Sequence, residues 1–383
     1  MRNQKEISIL QNRSTHSGRL ERWLGKDRVE QISKSMLNWY GPPIHLLDCP
    51  GSVRVCGDGD FVGPFERGYF MSALDALVQA YRDAERSFVD GKLVYLNTGF
   101  ASISDALARA SQGYRQSPGG QIAKVGPTGV IGVTSSLHKV GPQSAAGVAA
   151  PAAPDGGAPV DSNIGGLLFT NPASGTLHLT GADISASVIN NSLLLYDRIF
   201  AVAKLMNSAA TEAVTGVPTR YQSTTPTDPD YAGGNFLFVE VGLTLLAATA
   251  HNWTVCLYKD EGNADSTLPS LVGNSGAIIH RLDHPVNQWF APLANGDIGI
   301  KNLTQMQCSA LVATGLIDFV IGHPIGFMSF PVINSVIPFD WLTNRDQAPR
   351  IFNDAYLAFL EICKPATSTT TYTGRIYATS AAA

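Results

Sequence analysis

The sequence is poor in charge, and this shortage limits what the chain can be. Only 15% of its 383 residues are charged, whereas a typical globular domain is about a quarter charged. The 44% hydrophobic content and the length are enough for one or two apolar cores. Neutral surfaces with few charges are typical of faces buried between subunits. The composition therefore favours an oligomer, in which the chain contacts copies of itself.

Long apolar runs and paired cysteines are also missing. No stretch approaches the roughly 18 to 20 apolar residues of a membrane span, and the first residues lack the apolar core of a secretory signal. We therefore expect a chain made in a cytoplasm, without membrane contact. The five cysteines show no CxxC spacing, so we expect buried thiols rather than a disulfide framework or a zinc site.

Common catalytic and nucleotide-binding motifs are absent from the sequence. It has neither GxSxG nor HExxH, which carry nucleophilic and zinc-dependent hydrolysis in other proteins. The glycine pattern GPTGVIG (126–132) lacks the Lys-Ser/Thr pair that binds phosphate. We therefore expect no enzyme and assign no catalytic, cofactor-binding or metal-binding residue.

Two short acidic patterns suggest chemistry but are better explained by turns. Asp58 and Asp60 in CGDGDF resemble the start of a calcium loop, yet the other oxygen ligands of that loop are missing. We interpret this stretch as a tight hairpin turn.

The pattern HRLDHP (280–285) offers His280, Asp283 and His284 as a metal site or an acid–base pair. Pro285 argues against a strand that would point both histidines the same way, so we favour a turn held by the aspartate. Asp318 interrupts the apolar strand LIDFVIG, and we expect it to form a hydrogen bond or salt bridge between strands.

The chain divides into three parts by composition. Residues 1–115 form an N-terminal arm and an α+β region, with helices predicted over 28–40 and 72–88 and short strands in HLLDCPGSVRVC (45–56). The first 34 residues carry an excess of basic side chains, so this arm is a candidate for weak contact with DNA or with an acidic neighbour.

Residues 116–163 form a Gly/Ala/Pro-rich linker or strap. Its stretch AAGVAAPAAPDGGAPV (145–160) has almost no large side chain to offset the entropy of ordering. We expect this stretch to become ordered only against a partner element or a partner chain.

Residues 164–383 are typical of an antiparallel β-sandwich or barrel, and we favour the sandwich. β-branched and aromatic runs alternate with Gly, Pro, Asn and Asp turns; the predicted strands are 175–180, 192–204, 235–243, 252–259, 276–282, 316–322 and 370–379. One helix is predicted at 350–362 (RIFNDAYLAFLEI). The whole chain is thus expected to be mainly β, with a jelly-roll-like C-terminal domain.

Four stretches of this second half resemble structural proteins of tailed-bacteriophage virions, in particular head-associated ones. They are LYDRIFAVAKLMNSAATEAVTGVPTRYQSTTP (195–226), HNWTVCLYKDEGN (251–263), GDIGIKNLTQMQCSA (296–310) and CKPATSTTTYTGRIYA (363–378). The resemblance implies a non-enzymatic protein of the virion, made in the bacterial host, which builds or decorates the capsid shell. Its partners would be copies of itself and other phage head proteins.

An alternative function is binding of a receptor or carbohydrate by a β-sandwich on a phage tail or fibre. It rests on the aromatic residues Trp253, Trp289, Phe290 and Trp341, since sugars often stack on exposed rings. Packing in the core explains such residues better than sugar stacking does.

Overall fold

A computed structural model describes residues 122–341, 348–362 and 367–381, together with short stretches at 45–49, 52–56, 109 and 115–116. The chain forms two compact units, residues 1–86 and 87–383. In the first unit, β1 (His45–Cys49) and β2 (Ser52–Cys56) form an antiparallel hairpin, which confirms the short strands predicted there. The helices predicted over 28–40 and 72–88 lie outside the described residues.

The second unit is built from antiparallel strands, and no helix occurs within 122–341, 348–362 or 367–381. The mainly β, antiparallel character expected from the sequence is therefore confirmed. Its strands are β3 (Arg115–Gln116), β4 (Ile122–Val125), β5 (Ser135–Ser136), β6 (Pro142–Gln143), β7 (Thr176–Ala186), β8 (Asn191–Leu205), β9 (Glu212–Ala213), β10 (Phe236–Val241), β11 (Asn252–Asp260), β12 (Asp265–Thr267), β13 (Leu271–Val272), β14 (Ile300–Cys308), β15 (Leu316–Phe330), β16 (Ile337–Asp340), β17 (Arg350–Ile351), β18 (Leu357–Ile362) and β19 (Thr371–Ala381).

These strands form three sheets. The central sheet has the order β10-β15-β8-β18-β5. A seven-stranded sheet has the order β16-β7-β19-β4-β6, with β17 on β7 and β3 on β19. The third sheet has the order β12-β11-β14-β9, with β13 on β11.

The central sheet closes on itself through residues 280–283, and we call the closed ring the barrel. On one side this segment pairs with β5, where Ser136 N donates to His280 O at 2.7 Å and Leu282 N donates to Thr134 O at 3.1 Å. On the other side it pairs with β10, where Val241 N donates to Arg281 O at 2.9 Å and Asp283 N donates to Val239 O at 2.8 Å. Because of this closure, β5 and β10 have no free sheet edge where they pair with residues 280–283.

The two faces of the central sheet are buried in different ways. One face contributes Leu195, Phe200 and Phe319 to a large core shared with the other two sheets. The opposite face lines the interior of the barrel, where Tyr196, Phe238 and Val320 are among the residues of a second, smaller core. This double burial explains why β8 and β10 are apolar runs rather than alternating strands.

The Ala/Pro/Gly stretch 145–160 is paired with its own chain. Ala201 and Gly157 exchange two backbone hydrogen bonds of 2.8 and 2.9 Å, and Ala153 N donates to Ala203 O at 2.8 Å. The stretch therefore extends the edge of β8 beyond the end of β18. The partner element that the composition called for is a strand of the same chain. From the preceding residues, β4 belongs to the seven-stranded sheet and β5 to the central sheet.

The helix predicted at 350–362 is wrong, because this segment forms β17 and β18. Leu357–Ile362 pairs with β8 over six residues and is buried on both faces, so its continuous apolar run belongs to a sheet interior. Residues 276–282, predicted as a strand, contribute single bridges to the barrel wall instead. Of the described residues, none forms a helix long and apolar enough to cross a bilayer.

Candidate functional site: a charged cluster in the barrel and two apolar ends

Four charged side chains meet inside the barrel, and we call them the charged cluster: Lys139, Arg198, Glu240 and Asp318. Each has 2% or less of its side chain exposed. Burying an ion away from water is costly unless partners compensate its charge. Two cations facing two anions provide that compensation.

Strand register brings the two acids of the charged cluster together. Glu240 on β10 and Asp318 on β15 are directly opposite partners, so their side chains emerge next to each other on the inner face. Arg198 reaches the same face because a bulge between β8 and β15 shifts the register there by one residue. Lys139 lies three residues beyond the end of β5.

The contacts within the charged cluster are direct. Lys139 Nζ contacts Asp318 Oδ2 and lies 3.8 Å from Glu240 Oε1. Arg198 Nη2 lies 2.9 Å from Glu240 Oε1 and 3.8 Å from Asp318 Oδ2. Each cation is therefore within ion-pairing distance of both acids.

The two acids of the charged cluster differ in their affinity for protons. Burial raises the pKa of Asp318 above its usual value, although Lys139 opposes this shift. Burial also raises the pKa of Glu240, but Arg198 and Lys139 outweigh it and lower that pKa to about 2. Glu240 is thus the carboxylate that stays ionised, whereas Asp318 accepts a proton more readily.

Histidine and tyrosine side chains adjoin the charged cluster. His138 stands beside Tyr356, with Tyr356 Oη and His138 Nδ1 3.2 Å apart. Burial and the charge of Arg198 lower the pKa of His138 to about 3, so its ring is neutral at physiological pH. His138 therefore adds no charge to the charged cluster.

Two residues of the HRLDHP pattern, Asp283 and His284, have different hydrogen-bond partners. Asp283 Oδ2 accepts hydrogen bonds from His251 Nε2 at 2.9 Å and from Trp253 Nε1 at 2.8 Å. His284 Nε2 accepts the backbone N–H of Val239 at 2.8 Å. The buried ring of His284 and the carboxylate of Asp283 thus serve different partners, and the pattern forms no acid–base pair.

The other sequence candidates have simpler outcomes. Asp58, Asp60 and Cys363 lie outside the described residues. Asp318 on β15 forms the expected salt bridge between strands with Arg198 on β8, at 3.8 Å. In the part of the chain that the structure describes, no group of three His, Cys, Asp or Glu side chains is arranged to hold a metal ion.

The aromatic residues considered for sugar stacking are mostly in the core. Trp253 and Trp341 are buried, and Trp253 packs edge-on against Phe319 with ring centroids 4.6 Å apart. Phe290 is the exposed member of this group, next to the partly buried Trp289.

Exposed aliphatic side chains gather at one end of the central sheet, where β7 turns into β8. Backbone hydrogen bonds from Asn190 to Phe330 and from Asn334 to Ala186 hold the two connecting segments together. We call this surface the hairpin end; its exposed residues are Ile189, Val332, Ile333 and Val336.

A second group lies at the opposite end of the same long strands. The loops after β10 and β14 are joined there, since Gly242 N donates to Leu316 O at 2.6 Å and Ala247 N donates to Thr314 O at 3.0 Å. We call this surface the loop end; its exposed residues are Leu205, Leu243, Leu245 and Leu311. Large exposed apolar patches on proteins often mark contact surfaces.

Comparison with known proteins gives no relative of this chain. No family model, no curated protein and no solved structure matches it.

Proposed function

We propose that this chain is a structural protein of a tailed-bacteriophage virion that builds or decorates the capsid shell through contacts between copies of itself. The observation that carries the proposal is the pair of exposed apolar surfaces at the hairpin end and the loop end. The sequence resemblance stated above supplies the virion context, and a jelly-roll-like sandwich is part of the same proposal.

Two different apolar surfaces on one molecule favour contact between unlike surfaces of neighbouring copies. Such head-to-tail contacts close into rings when the rotation between copies allows it, and rings are the repeating units of shells. The hairpin end and the loop end lie at opposite ends of β8 and β15. They are therefore placed to join successive subunits.

The interior of the molecule also supports a structural function better than an enzymatic one. The charged cluster is sealed from solvent inside the barrel. A diffusible substrate has no access to side chains that are buried to this extent. The cluster is consequently suited to stabilising the fold.

Two further contacts belong to the proposal. Other head proteins of the virion are expected as partners at the shell surface, and the basic arm within residues 1–34 is expected to contact the packaged DNA weakly.

The proposal is tested by measuring the copy number of this chain in purified virus particles. Quantitative mass spectrometry of particles, with their other head proteins as internal standards, should find the chain in tens to hundreds of copies, on the order expected for a repeated shell component. Its absence from purified particles would overturn the proposal. A count of a few copies per particle would instead favour the tail or fibre alternative.

A further inference from the structure

The contact between Lys139 and Asp318 differs from an ordinary ion pair in its surroundings. The amine nitrogen contacts the carboxyl group of an acid 179 positions away, and both side chains are buried. A second carboxylate, Glu240, lies 3.8 Å from the same nitrogen. The fourth charged group, Arg198, has its Nη2 atom 3.8 Å from the same Asp318 oxygen.

We propose that Lys139 and Asp318 condense to an intramolecular isopeptide bond inside the barrel. The lysine is the nucleophile, the aspartate is the electrophile, Glu240 transfers protons, and Arg198 pairs with Glu240 beside the aspartate oxygen that leaves. This covalent link is independent of the proposed virion function.

The reaction begins with one proton transfer from the Lys139 ammonium to the Asp318 carboxylate. This transfer leaves a neutral amine with a free electron pair beside a protonated carboxylic acid, and the raised pKa of Asp318 favours it. Proton transfer across a direct contact needs no additional reactant.

The amine nitrogen then attacks the γ-carbon of Asp318. Glu240, an ionised carboxylate, accepts a proton from the attacking nitrogen, and Arg198 Nη2 lies 3.8 Å from Oδ2, the oxygen that received the lysine proton and departs. Glu240 returns its proton to the departing hydroxyl group. One C–N bond forms, one C–O bond breaks, and one water molecule leaves.

The buried setting favours the condensed product. Before the reaction the barrel holds two cations and two anions, whereas afterwards it holds only the ion pair of Arg198 and Glu240. Removing two charges from an apolar interior relieves the desolvation penalty of both. Exclusion of water from the barrel also opposes hydrolysis of the new bond.

A second close pair of lysine and acid serves as an internal comparison. Lys204 contacts Glu212, but the side chain of Glu212 is 27% exposed, so water solvates its carboxylate. In the described part of the chain, no other acid forms an ion pair with Lys204. We expect this pair to remain ionic.

The decisive experiment is the intact mass of the denatured, full-length protein. The proposal predicts a mass lower than that of the sequence by one water molecule. After trypsin digestion, residues 125–198 should remain uncut at Lys139 and should be joined to the peptide 302–345, which contains Asp318. Cleavage after Lys204 should be normal.

Variants distinguish the isopeptide bond from other reactions that also remove one water molecule, such as succinimide formation at Asp155-Gly156. Lys139→Arg keeps the charge but cannot form the amide, so it should have the full sequence mass. Glu240→Gln should condense far more slowly, by at least tenfold in a time course of intact mass after refolding. A wild-type protein of full sequence mass, or a link to Glu240 instead of Asp318, would overturn the proposal. Condensation of Glu240→Gln at the wild-type rate would overturn the role of Glu240.

Discussion

Asp197 on β8 has no exposed surface, and its carboxylate is held by three hydrogen bonds. Arg220 donates two of them, from Nε and Nη2, each 2.8 Å long, and the backbone N–H of Tyr356 donates the third at 2.9 Å. This arrangement fixes β8 to the segment that leads into β18. These hydrogen bonds therefore join Asp197 to Arg220 and Tyr356, which lie far from it in sequence.

Replacing Asp197 with Ala should lower the free energy of unfolding by about 3 to 5 kcal/mol, because Arg220 would remain buried without its partner. Urea unfolding followed by tryptophan fluorescence measures this change. The matched control is Asp265→Ala, which removes the largely exposed partner of Lys259 and should cost about 1 kcal/mol or less. Equal effects of the two substitutions would contradict this account of Asp197.

Buried histidines give the protein a characteristic response to pH. Burial lowers the pKa of His284 to about 4, and its Nε2 can accept the Val239 N–H only while the ring is neutral. The unfolded chain binds this proton near pH 6.5. Since the unfolded state then holds more protons than the folded state, stability is lost as the pH falls below about 6.5.

The variant His284→Gln should therefore lose stability less steeply than the wild type between pH 6.5 and pH 4, by up to about 1.4 kcal/mol per pH unit. Urea midpoints measured at intervals of half a pH unit test this. His251 supplies the contrast. Burial lowers its pKa, but the hydrogen bond to Asp283 outweighs this and raises the pKa. The stability that His251 contributes should be present below pH 6.5 and should be lost as the pH rises through the pKa of His251 in the folded state. Identical pH dependence of the His284→Gln protein and the wild type would contradict the prediction.

Among the structural elements, the Ala/Pro/Gly stretch shows how small residues allow close backbone approach. A side chain on Gly156 would meet the ring of Phe200, whose Cζ lies 1.9 Å from the position of an added Cβ. Small residues are therefore needed where this stretch runs along β8. Its composition reflects close packing within the subunit.

Gly156→Ala should destabilise the protein by about 1 to 3 kcal/mol, because the Phe200 ring must move within a packed core. Gly262→Ala is the matched control, since its nearest neighbour would be the Asp260 carboxylate at 3.4 Å, and it should be close to neutral. Thermal unfolding of both variants distinguishes them. A Gly156→Ala protein as stable as the control would show that the stretch does not lie against Phe200.

The sequence predicted many of the long strands but not how the barrel closes. The segments now seen as β7, β8, β10, β11, β15 and β19 were recognised from their β-branched residues and turns. β18 was mistaken for a helix because a continuous apolar run occurs both in buried helices and in strands buried on two faces. Barrel closure depends on pairing of 280–283 with β5 and β10, which no local pattern encodes.

The charged cluster, too, was predicted only in part from the sequence. Asp318 was singled out because it interrupts an apolar strand, and the same signal was present at Glu240 and Arg198, each within an apolar run of β10 or β8. That signal was overlooked at those two residues. Lys139 offered no such signal, since it lies in a polar stretch and meets Asp318 only through the fold.

For the whole molecule, the central claim is that the hairpin end and the loop end join neighbouring copies. The two surfaces are separated by the full length of β8 and β15, so one copy can contact two others at once. Aspartate introduced at the loop end would place charges in an apolar contact without partners, which is costly. Such a change should weaken assembly without unfolding the subunit.

The most direct test is sedimentation velocity of the purified protein over a range of concentrations, compared with the double variant Leu243→Asp/Leu311→Asp. The account predicts that the wild type forms a ring-sized or larger oligomer, whereas the double variant sediments as a folded monomer. The control Val217→Asp, at an exposed aliphatic residue assigned to neither end, should assemble like the wild type. A wild type that remains monomeric at all concentrations, or a double variant that assembles unchanged, would contradict the account.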